Sequence, residues 1–203
     1  MPLPTPKFCT ICGTTYATEA DIWPKRCPNP HCEHEDYGNP PTVAVVVCGV
    51  GDHALVVRRN INPGRGRLAC PGGWVNRNEG LRPAASRELR EETERRNATT
   101  DEILLPGLVI SPDNLVYMGD FNVPNLNRNL VFYGVDTEVE RRVIGPWWES
   151  VEPVIRELAP GDIWNRETQR ILLLTREEVE AEGTSFSSHL DMLREWFARR
   201  TVS

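Results

Sequence analysis

Three glutamates within five residues, Glu88, Glu91 and Glu92, are the side chains of this 203-residue chain best arranged for chemistry. Read as a helix opening at Pro83, a favoured first-turn residue, "PAASRELREETER" places them at i, i+3 and i+4, on one face. Like charges at that spacing weaken a helix by roughly 0.2–0.5 kcal/mol per pair. A divalent cation would reverse that cost. Magnesium and manganese prefer oxygen ligands and bring phosphate oxygens with them. Gly72 and Gly73, ahead of the helix, let backbone approach an ion or a phosphate. Arg87, flanked by acids, can pair with Glu79 across the loop and hold the turn in shape. On spacing alone, a solvated acidic face accounts for the same residues equally well.

A second cluster is made of sulfur. Cys9-x2-Cys12 and Cys27-x4-Cys32 are two short-spaced pairs, and two such turns can aim four thiolates at one tetrahedral zinc. Gly13 suits the tight bend after the first pair. The second pair is wider than the common form, and either His31 or His34 can stand in for Cys32 as the fourth ligand. Four thiolate ligands leave no open position, so the reading is a structural zinc. Residues Met1 to Asp36 carry three Lys/Arg against five Asp/Glu and no basic stripe, which argues against nucleic acid. Cys48 and Cys70 lie in strand-like surroundings and read as small core residues.

The elements that must position these groups are legible in outline. "TVAVVVCGV" and "HALVVRR" are strand-like runs joined by the turn signal "GD". "NINPGRGR" is a loop, and "RLAC" and "GGWVN" are short strands broken at Pro71. "NLVYMGD" and "RNLVFYGVD" are two more strands around the loop "FNVPNLN", and "RILLL" is a short buried one. "SSHLDMLREWFARR" closes the chain as a helix with Leu190, Leu193, Trp196 and Phe197 on one face. The net charge of −6 excludes general electrostatic affinity for nucleic acid, and no apolar run reaches the length of a membrane span. "MPLPTPKFCTICG" lacks the apolar core of a signal peptide. A reducing cytoplasm is the expected setting, where clustered cysteines are metal ligands more often than disulfides.

The order Gly73-x5-Glu79-x7-Arg87-Glu88-Leu89-x-Glu91-Glu92 resembles the signature of the Nudix hydrolases at every charged position. "ALVVRRNINPGRGRLACPGGWV" looks like the strands and loop that precede the box in that family. "FCTICGTTY" through "EHEDYGNP" resembles the zinc ribbon carried by one branch of it, and the last helix is similar to that branch's. The fold implied is α+β, a Nudix α/β/α sandwich with a mixed sheet over residues 39–203, preceded by a zinc ribbon over residues 1–38. Residues 138–165 match nothing in the family and form an insertion.

Two departures stand out. The family box ends with a glycine and an aliphatic residue where this chain has Glu94 and Arg95, so the helix is expected to run on to about Asn97. The aromatic-proline motif of the NADH-cleaving members is absent downstream, which argues against NADH.

What the resemblance implies is metal-dependent hydrolysis of a nucleoside diphosphate linked to another group. Glu88, Glu91, Glu92 and the Gly73 carbonyl map onto the ligands of magnesium or manganese, and Glu79 with Arg87 onto a supporting salt bridge. The general base is a box glutamate or a downstream one. Glu167 is favoured for the latter, with Glu138 and Glu140 as alternatives. Cys9, Cys12, Cys27 and Cys32 are the zinc ligands.

Arg58, Arg59, Arg65 and Arg67 offer guanidiniums for phosphate, Arg58 and Arg59 first, and Tyr117, Phe121, Phe132 and Phe186 offer rings for a base. Trp147, Trp148 and Trp164 mark the insertion either as a contact surface, shaping the substrate mouth or a homodimer interface, or as a segment packed onto its own domain. ADP-ribose or an ADP-containing dinucleotide such as FAD is the expected substrate. Rival readings are a nucleotide-sensing regulator, an RNA decapping enzyme and a zinc-ribbon adaptor.

Overall fold

The computed structural model describes residues 5–16, 22–123 and 127–200, so part of the expected loop "FNVPNLN" lies outside the described residues. The chain forms two compact units, residues 1–41 with 122–129, and residues 42–121 with 130–203.

In the first unit, an antiparallel bridge joins Phe8 to Thr15, and β1 (Lys25–Arg26) pairs with β2 (Glu35–Asp36). Each pairing closes a turn that carries two cysteines. Cys9 N donates to Thr14 O at 2.8 Å and Gly13 N to Cys9 O at 2.9 Å. In the other turn, Cys27 N donates to His34 O at 2.8 Å and Cys32 N to Asn29 O at 3.0 Å. Gly13 has φ of 73°, so a side chain there would be strained. The unit's buried centre is Tyr16 with Cys9 and Cys27.

The second unit begins with β3 (Thr42–Val47), β4 (Gly49–Val50), β5 (His53–Arg59), β6 (Leu68–Ala69) and β7 (Gly72–Trp74). Helix α1 (Leu81–Thr93) follows, then the short hairpin of β8 (Arg95–Arg96) and β9 (Ile103–Leu105). β10 (Leu115–Val123) and β11 (Arg128–Val135) lead into α2 (Thr137–Val139), a π-helical turn (Glu140–Ile144) and α3 (Gly145–Glu157). β12 (Thr168–Leu174), α4 (Arg176–Glu182) and α5 (Ser187–Arg200) complete the chain. One sheet runs β10-β11-β3-β7; the other runs β12-β5-β4 with β6 also on β5.

The all-apolar run of β3 has a plain cause: it is covered on both faces. Ala44, Val46 and Cys48 join a core with Ala84, Ala85 and Leu89 of α1 and Leu55 and Val57 of β5, while the alternating Val45 and Val47 are equally buried. Cys48 and Cys70 are core residues, as their surroundings predict.

Two expectations about helix α1 need correction. Helix α1 opens at Leu81, before Pro83, because Gly80 is extended and serves as the N-cap. It ends at Thr93 and does not reach Asn97. Glu94 turns out of the helix at φ −73°, ψ 127°, and Arg95 and Arg96 enter β8. Helix α3 packs the half-buried Trp147 and Trp148 on the core, and Trp164 lies in the segment beyond it. Trp164 is fully buried, and Trp147 and Trp148 pack on the core beside Val151 and Ile155. Trp147 Nε1 also donates to Pro106 O at 3.3 Å. The three tryptophans thus all contact their own domain, Trp164 entirely and the other two in part.

Candidate functional site

The site is built from β7, α1 and the segment that enters β12. β7 pairs with β3, setting Gly73 opposite Ala44 and Gly72 opposite Val45. Both glycines are needed for close approach. A Cβ on Gly73 would lie 2.4 Å from Glu88 Oε2, and one on Gly72 would lie 2.5 Å from the carbonyl oxygen of Ala44.

Arg87 ties the loop to the helix. Its Nε and Nη2 donate to the two oxygens of Glu79 at 2.8 and 2.9 Å, and Nη2 also reaches Trp74 O at 2.9 Å. Its Nη1 donates to Glu88 at 2.6 Å and to Glu91 at 3.0 Å. Glu79 in turn accepts from Asn76 N at 2.9 Å. The Arg87 hydrogen bonds hold Glu79 down to about 2, and the same pairing raises the arginine further above its usual value.

Glu92 is the most unusual member. It is 5% exposed, and its Oε2 has no hydrogen-bond partner among the described residues. Burial is the main reason its carboxyl is pushed up to about 8, with Glu167 and Glu88 adding repulsion; Arg59 and the Gly72 N–H pull the other way. Glu88 is also raised, first by desolvation, with Glu91 and Glu167 contributing. Glu167 is exposed, yet its field reaches both buried carboxylates, so the chain gathers Glu88, Glu91, Glu92 and Glu167 around one place.

The other candidates divide clearly. Arg59 faces this cluster, lying over the Phe186 ring at 5.4 Å with its Nε on Pro63 O at 2.9 Å. Arg58 points the opposite way along β5, as strand alternation requires, and is held by Glu182 and by Gly66 O. It lines a cavity of about 390 Å³ with Arg65 and Arg170, away from the glutamates. Arg67 is exposed. Glu140 is withdrawn from any catalytic part: it is 2% exposed, paired with Arg200 and accepting from Gly49 N. Glu138 is exposed on α2. Phe121 meets Phe132 and Phe132 meets His189 edge-on, and Phe186 lies tilted against His189, while Tyr117 is exposed and bonded to Asp120.

Sequence reasoning missed His189 and Asn165 and gave Trp164 a different part. His189 is buried under Phe186 and Phe132, and its Nδ1 accepts from Cys70 N at 3.0 Å. Trp164 and Asn165 close the end of α1, and only the isolated polar residue after a tryptophan in "IWN" hints at it.

The residues present fit a hard divalent cation. The donors are carboxylate oxygens, Glu92 Oε2 is orphaned, and the Gly73 backbone lies against the Glu88 carboxylate, while among the described residues only the cysteines bring three or more ligand atoms within 4.8 Å of one another. In the N-terminal unit, the Cys9, Cys12, Cys27 and Cys32 sulfurs all lie within 4.8 Å of one another. Cys9 to Cys32 is 3.8 Å and Cys12 to Cys27 is 3.5 Å. Ligands about 2.3 Å from a tetrahedral zinc stand roughly 3.8 Å apart, so the cluster fits that ion. His34 Nε2 is instead turned to Thr10 Oγ1 at 3.3 Å, and the cluster is complete without either histidine. Hydrogen bonding with Thr14 lowers Cys12 to about 6, while desolvation pushes Cys27 up to about 12. Four thiolates packed this closely repel one another, and a cation among them lets all four ionise together.

The NUDIX domain model matches residues 38–140, just over half of the 203. The chain belongs to the Nudix family. Its fold is the family's α+β one, and that likeness extends across the whole length of a solved Nudix hydrolase from Nitrosomonas europaea. The two are 20% identical with a TM-score of 0.59, over 97% of this chain and 93% of that one. A MutT/nudix protein from Listeria innocua is 23% identical over 80% of this chain and 94% of its own, with a TM-score of 0.47. Shewanella oneidensis NrtR, solved with a 27mer DNA, is 15% identical over 79% and 61%, with a TM-score of 0.49. At these identities the resemblance concerns the fold and not the substrate. No helix among the described residues is long and apolar enough to cross a membrane.

Proposed function

We propose that this Nudix protein hydrolyses the pyrophosphate bond of a nucleoside diphosphate linked to another group, with ADP-ribose or an ADP-containing dinucleotide such as FAD as the substrate. The observation that carries this reading is the buried, unpartnered Oε2 of Glu92 beside Glu88 and Glu167. A solvated acidic face has no reason to bury a carboxylate without a partner, at a cost of several kcal/mol.

Glu88, Glu91, Glu92 and the Gly73 carbonyl hold magnesium or manganese, which supplies charge neutralisation on the phosphate oxygens. Arg87 and Glu79 fix the loop so that Gly73 stays against the helix. Glu167, exposed and next to the two raised carboxylates, accepts the proton of the attacking water. Arg59 presents its guanidinium on the same side for a phosphate oxygen. Cys9, Cys12, Cys27 and Cys32 hold a structural zinc in the small unit.

The test is hydrolysis of ADP-ribose, FAD, NADH, diadenosine polyphosphates and capped RNA with magnesium or manganese, with Glu91→Gln and Glu92→Gln as controls. Loss of turnover in both variants is expected. Full activity in either would overturn the metal assignment, and binding without turnover across the panel would favour a sensor.

A further inference from the structure

Helix α1 stops at Thr93 without a glycine, and the reason lies 72 residues further along the chain. The last carbonyls of a helix have no partner within it and need donors from elsewhere. Here Trp164 Nε1 donates to Thr93 O at 2.8 Å. The Asn165 side-chain amide reaches three carbonyls, those of Glu91 at 3.2 Å, Glu92 at 3.1 Å and Glu94 at 2.9 Å. Its other end is equally committed: Oδ1 accepts from Glu167 N at 3.0 Å and Thr168 N at 2.8 Å. Asn165 is 4% exposed, so water cannot replace these bonds.

We propose that Asn165 is a positioning residue of the catalytic centre, which fixes the Glu91–Glu92 turn and Glu167 relative to each other through one planar amide. The proposal rests on the reading of these glutamates given above. Both groups it grips carry the proposed chemistry. Its nitrogen holds the backbone of Glu91 and Glu92, and its oxygen holds the backbone of Glu167. Displacing the amide moves the two sets of carboxylates apart.

The chemistry of the donor matters too. Carbonyls at a helix C-terminus are commonly met by lysine or arginine. A further cation here would add to Arg87 and Arg90, which already pair with Glu91, and would compete with the metal. A neutral amide satisfies the same carbonyls without adding charge.

The test compares two variants that touch the same helix end. Asn165→Asp keeps the size but sets a carboxylate against three carbonyls. It should bind Mn2+ at least about tenfold more weakly, read from free Mn2+ by electron paramagnetic resonance on nucleotide-free protein, and lose a similar factor in kcat. Trp164→Phe removes the neighbouring hydrogen bond to Thr93 but has no link to Glu167, so it should lower Tm with Mn2+ affinity kept within about twofold.

A folded Asn165→Asp protein with the wild-type Mn2+ affinity overturns the proposal, and so does an equal loss of affinity in Trp164→Phe. If Asn165→Asp does not fold, the wild type decides. Its Asn165 side-chain NH2 resonances should exchange slowly and shift on adding Mg2+, and resonances that stay put overturn the idea. Wild-type protein that binds Mn2+ but cleaves nothing refutes the hydrolase reading and leaves the Mn2+ comparison standing.

Discussion

Replacing Glu92 by glutamine should make the protein inactive and, without divalent metal, more stable. In the metal-free fold the Glu92 carboxyl is raised from 4.5 to about 8, chiefly by burial. A raised carboxylate contributes stability below its unfolded pKa, near 4.5, and that contribution is lost as pH climbs towards 8. At about 1.36 kcal/mol per pH unit, the full span is roughly 5 kcal/mol, of which about 3 kcal/mol is already lost at pH 7. Glutamine escapes this term and can still accept from the Gly72 N–H. Its amide group takes the place of the orphaned oxygen, which costs about 1–3 kcal/mol.

The net gain at pH 8 is therefore about 2–4 kcal/mol, or roughly 4–16 °C in Tm for a chain of this size. At pH 5 the gain should vanish or change sign. Thermal unfolding of both proteins in Mg2+- and Mn2+-free buffer, with zinc retained, reads this directly. Saturating Mg2+ should then reverse the order, since about 1,000 Kd of ligand adds about 4.1 kcal/mol to the wild type alone. A variant that is destabilised equally at both pH values would refute the argument, because Glu92 would then be a paired structural acid.

Burial lowers His189 from 6.5 to about 3, so its stabilising contribution is complete above pH 6.5 and is lost as pH falls through that range. His189→Gln should lose roughly 2–3 kcal/mol less than the wild type between pH 6.5 and 4.5, measured by urea unfolding. Cys9→Ser should abolish the one zinc per chain expected by metal analysis, and a retained zinc would show that the four-sulfur cluster is not the ligand set. Arg200→Met leaves Glu140 buried and unpaired, so stability should fall by about 3–5 kcal/mol while kcat stays at the wild-type value.

The carboxylate face and the cysteine pairs were legible because local spacing defines them. Glu88, Glu91 and Glu92 need only a helix to share a face, and each cysteine pair needs only a turn. The end of that helix was not legible. From "ETERRN" alone the charged, helix-compatible residues predict continuation. What stops it is Trp164 and Asn165, brought in by the segment between α3 and β12, together with Gly107. A Cβ at Gly107 would meet the Arg90 carbonyl at 1.9 Å, so only glycine lets that loop cross the helix end. Glu94 is then accommodated as a buried partner of Arg90 and Arg96 at 3.3 and 2.5 Å. Likewise the tryptophans of the insertion looked like surface until their partners, Thr93 O and Pro106 O, were in place.

The like-charge cost of the carboxylate face also has an answer within the chain. Arg87 divides its donors: Nε and Nη2 go to Glu79 and Trp74 O, and Nη1 goes to Glu88 and Glu91. The metal-free helix is thus stabilised by one guanidinium placed where it neutralises two of the three glutamates. A cation that takes Glu88 and Glu91 displaces the Nη1 contacts and the Arg90–Glu91 pair at 3.2 Å, and the bidentate grip on Glu79 remains. The loop carrying Gly73 keeps its shape in either state. Lysine at position 87 offers a single ammonium and cannot divide its bonds in this way, so it would hold either the loop or the helix face, and not both.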